Sequence, residues 1–224
     1  MEKNQESAEQ LRARRERAER DVRALAQVYS ENLKNQIEGR TEEMEQDDIS
    51  HFLIYRVLGI SEEEGRLIDV YQNKGRFLYK YAGAFLEEAA IVCLKSKFPD
   101  AKAKVKIANP AGSRPKTFEM DFLVADRALE IKWRDATTDG DHITKEHARI
   151  RAISESGLKP IRVMFYYPNR DQAKRIQETI RTIYGALDGE YHAGDDAWAY
   201  IESLTDIDLL GILERVADEN TGKK

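Results

Sequence analysis

A short apolar segment near the middle of the chain, MDFLVADRALEIKW (Met120 to Trp133), contains three charged residues suited to chemistry: Asp121, Glu130 and Lys132. Successive side chains of a strand point to opposite faces, so the alternation predicts two strands joined by a tight turn. Two carboxylates favour a hard cation such as Mg²⁺, and a lysine beside them can orient or deprotonate an attacking water. Phosphodiester hydrolysis uses all three groups.

The register of this predicted hairpin decides whether the three charged groups meet. A two-residue turn at Asp126-Arg127 places Asp121 opposite Lys132 and one diagonal step from Glu130. The apolar positions then face one another in three pairs: Val124 with Leu129, Phe122 with Ile131, and Met120 with Trp133. A slip of one residue would send every side chain to the other face, so the prediction requires a turn of even length.

The spacing of these charged residues resembles a known signature. Asp121, followed eight intervening residues later by Glu130-Ile131-Lys132, resembles the PD-(D/E)XK nuclease pattern, with Met120 where the pattern has proline. The stretch EIKWRDATTDGDHITKEHARIRAISESGLKPIRVMFYYPNRDQAKRIQ resembles the ApaLI-type restriction endonucleases, and the similarity runs from about residue 83 to about residue 201. The resemblance implies that Asp121 and Glu130 bind Mg²⁺ and that Lys132 lies beside the nucleophilic water.

A glutamate on the preceding helix is a fourth candidate. The segment KYAGAFLEEAAIVCLKSKFP predicts a strongly apolar helix, with Glu87 and Glu88 at the two borders of its buried face. Apolar neighbours surround Glu87, and its spacing from Gly83 resembles that of a helix in PD-(D/E)XK nucleases whose glutamate assists metal binding. The resemblance therefore implies a catalytic and metal-binding role for Glu87, with Glu88 as the alternative.

Two polar stretches are candidates for DNA contacts. The basic loop NPAGSRPKT between two predicted strands contains Arg114 and Lys116, which could track phosphates. The stretch RDATTDGDH leaves the predicted catalytic strand directly, and its short donors and acceptors are of the kind that read base edges. Its candidates are Arg134, Asp135, Thr137, Thr138, Asp139, Asp141 and His142. The alternatives are a solvated loop for the first stretch and a helix-capping turn for the second.

The order of predicted elements indicates an α/β fold. A helix, three strands, a helix, a central strand (PIRVMFYY) and a further amphipathic helix follow one another, and a helical tail covers residues 195–217. This order matches the PD-(D/E)XK core, a mixed sheet flanked by helices, which we assign to residues 76–224 together with the C-terminal helices. Residues 1–75 form a predicted helical N-terminal region, for which a dimer-forming or DNA-clasping role is open.

Composition excludes several other classes. The 224 residues carry a net charge of −5 and a single cysteine, Cys93, which rules out disulfides within the chain and cysteine-rich zinc sites. No apolar run approaches a membrane span, and the N-terminus is too polar for a secretory signal, so we expect no membrane association and a cytoplasmic location. The sequence lacks a P-loop, and His142 and His147 do not have zinc-hydrolase spacing.

These observations predict a type II restriction endonuclease that hydrolyses double-stranded DNA at a short specific site with Mg²⁺ as cofactor. Symmetric sites are read by two-fold dimers, so we expect a homodimer. One alternative is another nuclease of the same superfamily, with a repair or junction-resolving role. The other is a non-catalytic DNA-binding protein in which the hairpin charges form only a structural salt bridge.

Overall fold

The structure, a computed structural model, describes residues 6–110, 112, 115–135 and 141–222. The helices in these ranges are α1 (Ala8–Glu45), α2 (Phe52–Val57), α3 (Glu62–Lys97), α4 (Asp141–Glu155), α5 (Asp171–Ala186), α6 (Asp195–Thr205) and α7 (Leu209–Thr221). The strands are β1 (Lys102–Ala108), β2 (Thr117–Val124), β3 (Arg127–Arg134), β4 (Lys159–Tyr166) and β5 (Glu190–Ala193).

The five strands form one mixed sheet in the order β1-β2-β3-β4-β5. The first three strands are antiparallel, whereas β3, β4 and β5 are parallel to one another. Strand β4 is buried along nearly its whole length, as its continuous apolar sequence predicts. The predicted α/β class and mixed sheet are confirmed. Strand β5 was not predicted, because its four residues, EYHA, are half-buried and lack apolar alternation.

The predicted register of the β2–β3 hairpin is wrong by two residues. Phe122 pairs with Leu129, and Val124 pairs with Arg127, so the two turn residues are Ala125 and Asp126. The predicted turn at Asp126-Arg127, the pairing of Phe122 with Ile131 and the other two apolar pairs are therefore incorrect. A shift of two keeps the parity of the pairing, which is why the even-length turn holds. Ala125 makes this turn with a positive φ of 51°.

Helices α4 and α5 cover part of the sheet. Their main cluster consists of Ile150, Ile176, Ile180 and Tyr184, all buried. A second cluster joins Met120 of β2, Ala128 of β3 and Ile153 of α4. The turn after α4 uses Gly157 at a φ of 73°, which permits the sharp entry into β4.

The N-terminal half of the chain is mostly helical, as predicted, but its helices are longer. A single helix, α3, covers both the segment after Ser61 and the apolar segment that contains Glu87. Two compact units result: residues 1–23 together with 86–224, and residues 24–85. This division differs from the boundary after residue 75 expected from the sequence, because α1 and α3 each contribute to both units. None of the described helices has the length and apolar character needed to cross a membrane.

Candidate active site and nucleic-acid interface

Asp121 lies where strands β2 and β3 stop pairing. The regular ladder between them extends only as far as Phe122 and Leu129. Beyond that point the side chain of Asp121 replaces a backbone acceptor: its Oδ2 accepts a hydrogen bond of 2.7 Å from the backbone N–H of Ile131. The residue is only 7% exposed. The backbone of β3 therefore fixes this carboxylate in place.

Glu130 and Lys132 follow on β3 beside this carboxylate. Glu130 is 3% exposed, and its Oε1 accepts from Lys132 Nζ at 2.5 Å. Arg149 of α4 donates to the same oxygen through Nη1. A carboxylate with this little access to water needs such partners, because desolvation without compensation is costly. The structure thus brings together Asp121, Glu130 and Lys132, the three residues of the predicted signature.

The two buried carboxylates differ in their electrostatics. Burial and, next, the negative charge of Glu130 raise the pKa of Asp121 to about 6, against the opposing effects of Lys132, the Ile131 N–H and Lys104. Burial also raises the pKa of Glu130, but the positive charges of Lys132 and Arg149 outweigh it, so the net shift is downward. Environments that separate the pKa values of neighbouring carboxylates are common at catalytic sites.

A second lysine, which the sequence did not single out as a site residue, lies on the other side of Asp121. Lys104 of β1 forms an ion pair with Glu87 of α3, and its Nζ is 4.0 Å from Asp121 Oδ1. It is mid-strand with a positive φ of 55°, a conformation that a residue with a side chain rarely adopts. Such strain clusters at functional sites. Glu87 is partly buried here, whereas Glu88 is exposed.

The donor atoms of this site match a hard divalent cation. Within the described ranges no three His, Cys, Asp or Glu side chains form a ready metal cluster, and the Lys104 ammonium contacts both Glu87 and Asp121. Mg²⁺, however, needs only one or two carboxylates, together with water and phosphate oxygens. Asp121 and Glu130 provide two, and a cation there would offset the burial and the negative charge of Glu130 that together raise the pKa of Asp121.

A chain of buried ion pairs connects this site to the start of the polar stretch after β3. Arg149 also contacts Glu146, at 3.2 Å, and Glu146 accepts from the fully buried Arg162 at 3.2 Å. Arg162 in turn donates to Asp135 at 2.6 Å. The carboxylate of Asp135 is also 2.7 Å from Nε2 of His142. Ion pairs therefore connect Asp135, just before residues 136–140, both to His142 at the start of α4 and to Glu130 of the candidate site.

The predicted DNA-contact residues have different placements. Arg134, Asp141 and Lys116 are exposed, His142 is partly buried, and Asp135 is largely buried in the ion-pair chain. The carboxylate of Asp135 thus faces protein groups. Four further candidates lie outside the described residues: Arg114, Thr137, Thr138 and Asp139.

An open cleft at the carboxyl ends of β3 and β4 places the predicted contact Arg134 beside residues that the sequence analysis did not single out. Trp133 and Arg134 line one side, and Tyr166, Tyr167 and Arg170 line the other with the intervening turn. The guanidinium of Arg134 lies 5.4 Å from the centre of the Trp133 ring. Because neighbouring parallel strands end at the same edge of a sheet, the pairing of Arg134 with Tyr166 in the ladder creates this cleft. The signal available in the sequence was the aromatic end of PIRVMFYY followed by Arg170.

Comparison with known proteins identifies the family of the chain. The model of the ApaLI-like restriction endonuclease family matches residues 5–218. No match was found among curated proteins or among solved structures. Because the family match spans nearly the whole chain, the protein belongs to the ApaLI-like restriction endonuclease family and acts as a nuclease on DNA.

Proposed function

We propose that this protein is a type II restriction endonuclease that hydrolyses both strands of double-stranded DNA at a short specific sequence, with Mg²⁺ as cofactor and a PD-(D/E)XK core. The observation that carries the proposal is the convergence of the buried carboxylates of Asp121 and Glu130 with Lys132 at the point where two strands separate. Buried acids with opposed pKa shifts beside an ammonium are suited to phosphodiester hydrolysis.

Asp121 and Glu130 would hold the cation, and a cation bound there supplies positive charge next to the scissile phosphate. The N–H of Ile131 keeps the Asp121 carboxylate oriented, and Arg149 keeps Glu130 ionised and in place. Lys132, 2.5 Å from Glu130, is positioned to orient the attacking water and to exchange a proton with it. Glu87 assists from α3 through Lys104, which adds positive charge near the phosphate.

DNA would be held by groups on both sides of the β3 and β4 ends. Arg134 and Arg170 of the cleft can contact phosphates, and the exposed ring of Tyr166 offers an apolar surface to a sugar or base. Asp141 and His142 lie after the stretch 136–140, in which we retain Thr137, Thr138 and Asp139 as candidates for base contacts. Arg114 and Lys116 are retained as phosphate contacts.

Two-strand cleavage requires two hydrolytic events. The signature of Asp121, Glu130 and Lys132 occurs once in the chain, so two copies related by a two-fold axis are the simplest way to cut both strands of a symmetric site. We therefore propose a homodimer as the active species, located in the cytoplasm.

Incubation of the purified protein with long linear DNA and Mg²⁺ tests the proposal. We expect discrete bands whose ends share one sequence, and no cleavage when Mg²⁺ is chelated. Asp121→Asn should abolish cleavage while DNA binding persists, because a neutral amide binds the cation poorly. Glu119→Gln is the matched control, since Glu119 is an exposed carboxylate on the same strand. Its cleavage rate should equal that of the wild type.

Other results would favour the alternatives. Uniform degradation or junction-selective cutting would indicate another nuclease of the superfamily. Binding to DNA without any cleavage would indicate a non-catalytic protein. Full activity in both Asp121→Asn and Lys132→Ala would show that the active site lies elsewhere.

A further inference from the structure

The helical unit formed by residues 24–85 has an unusual surface. Of the large hydrophobic side chains that are exposed in the described residues, all but Tyr166 lie in this unit. They are Val28, Ile49, Leu53, Ile54, Val57, Leu58, Leu67, Ile68, Tyr71, Leu78 and Tyr79. Single exposed apolar residues are normal in any protein, but a concentration of this kind marks an interaction surface.

The exposed residues of α3 share one side of the helix. At 100° per residue, Leu67, Ile68, Tyr71, Leu78 and Tyr79 fall within an arc of about 120°, which continues over three turns. Gly75 lies inside this arc, and a Cβ placed on it would meet no other atom. A small residue within an apolar stripe allows a second helix to approach closely. The stripe therefore has the pattern of a helix-packing surface.

Helix α2 has the same character. Four of the side chains from Leu53 to Leu58 are apolar and between 56% and 73% exposed. The helix is short, and Gly65 of α3 contacts the ring of Tyr55, so α2 packs against α3 at a position without a side chain. Helices α2 and α3 therefore each leave an apolar face exposed in this unit.

The charge of the unit argues against a DNA-clasping role. Residues 24–85 contain eleven acidic and seven basic side chains, a net charge of −4, nearly all of the −5 of the full chain. DNA binding depends on neutralising phosphates with lysine and arginine, so an acidic and apolar surface is poorly suited to it. Protein association does not have this requirement, because the core of a protein interface is depleted in charge.

We propose that the exposed apolar faces of α2 and α3 within residues 24–85 form the interface with a second copy of this chain. The proposal rests on the proposed function, since two-strand cleavage needs two active sites. The nine side chains on these two faces are each about half exposed or more. Together they present roughly 900 Å² of apolar surface, comparable to the roughly 800 Å² that each partner buries in a standard interface. In a two-fold dimer the same stripe serves both subunits, so a single surface of this kind suffices.

Sedimentation velocity of the full chain without DNA or Mg²⁺ tests the interface. We expect a dimer for the wild type. Leu78→Glu places a carboxylate in the middle of the stripe and should weaken dimerisation about a hundredfold or more, because an unpaired charge is costly to bury. Lys80→Gln is the matched control: it changes the net charge by the same amount on the opposite side of α3, and it should remain dimeric.

A second variant, Val57→Lys on α2, shows whether a loss of dimer in Leu78→Glu comes from the interface or from a local disturbance of α3 at residue 78. Val57 is 73% exposed, so this change should leave the unfolding free energy of the monomer unchanged while it weakens the dimer. A wild type that stays monomeric at micromolar concentrations, or dimers that persist in both variants, would overturn the proposal. If the wild type is itself a monomer and the two variants bind DNA more weakly than it does, the surface is a DNA clasp instead. Sedimentation does not measure cleavage, so the proposed interface and the proposed restriction activity are tested independently of each other.

Discussion

Arg149 of α4 donates to Glu130 of β3 inside the protein, and the acceptor is the same oxygen that binds Lys132. The carboxylate thus receives two cations from two different elements. Arg149 is also held by Glu146 one turn earlier on α4, so its position does not depend on Glu130 alone. This arrangement explains how a carboxylate that is 3% exposed remains ionised.

Replacement of Arg149 should therefore affect both stability and the pH dependence of cleavage. Arg149→Gln should lower the free energy of unfolding by about 3–5 kcal/mol, because it leaves a buried carboxylate with one partner fewer. It should also move the acid limb of the pH–rate profile to higher pH, since Arg149 no longer lowers the pKa of Glu130. Urea denaturation and single-turnover cleavage measure the two effects, and Arg149→Lys should restore part of each.

Arg151→Gln is the control on the same helix. Arg151 forms an i,i+4 ion pair with Glu155 and is 68% exposed, so its loss should cost less than about 1 kcal/mol. Equal effects of the two substitutions would show that the contact between Arg149 and Glu130 has no special role.

The backbone at Lys104 gives a prediction that reverses the usual order of glycine and alanine in strands. Lys104→Gly and Lys104→Ala both remove the ammonium, but only glycine adopts a φ of 55° without strain. The glycine variant should therefore be more stable than the alanine variant by about 1 kcal/mol. Urea denaturation of the two proteins measures this difference directly.

The neighbouring residue supplies the control for this comparison. Ala103 is on the same strand and does not have a positive φ. Ala103→Gly should lower the free energy of unfolding by about 0.5–1 kcal/mol, the normal cost of glycine in a strand. If glycine is less stable than alanine at position 104 as well, the strand is not strained there.

Asp121 gives a prediction about stability and pH in cation-free buffer. Its pKa is about 6 in the folded protein against an ordinary value of 3.8, so the folded state holds the proton more tightly than the unfolded state. As the pH rises through this window, the unfolded state releases the proton first, and the wild type loses stability. Asp121→Asn has no such proton, so above pH 6 it should be more stable than the wild type by up to about 3 kcal/mol.

The difference between the two proteins should vanish below about pH 4, where Asp121 is protonated in both states. Glu119→Gln, which removes an exposed carboxylate from the same strand, is the control variant for this comparison. A stability difference between Asp121→Asn and the wild type that is independent of pH would mean that the shift in the pKa of Asp121 is absent.

The candidate residues of the hairpin could be predicted from the sequence, because their charge and their odd or even position along each strand are enough to identify them. Asp121, Glu130 and Lys132 were found because charged residues stood out in an apolar alternation, and an error of two in the register does not alter that alternation. The turn itself was misplaced because Ala125 takes a positive φ, which its sequence does not signal.

Other features depend on distant parts of the chain. Lys104 is one of several lysines in a basic run, and only the approach of α3 to β1 brings it to Glu87. The carboxylate of Asp135, a predicted DNA contact, accepts from the buried Arg162 of β4, and this long-range ion pair is not encoded in the local sequence. In sequence, the exposed apolar stripe of α3 has the same spacing as a buried helix face. Only the solvent accessibility in the structure shows that it is exposed.

The cleft at the ends of β3 and β4 leads to a prediction about DNA affinity. Arg170 and Tyr166 line it opposite Arg134, within reach of DNA that approaches the carboxyl end of β3. In an Asp121→Asn background, which permits binding without cleavage, Arg170→Ala should weaken binding to all DNA sequences alike and lower the slope of log affinity against log salt by about one. Tyr166→Ala should weaken binding without changing that slope, because it removes no charge.

Arg12→Ala, at an 82% exposed position on α1 paired with Glu16, should change neither quantity. Fluorescence anisotropy across a salt series separates these outcomes, and an unchanged slope for Arg170→Ala would place the phosphates outside this cleft.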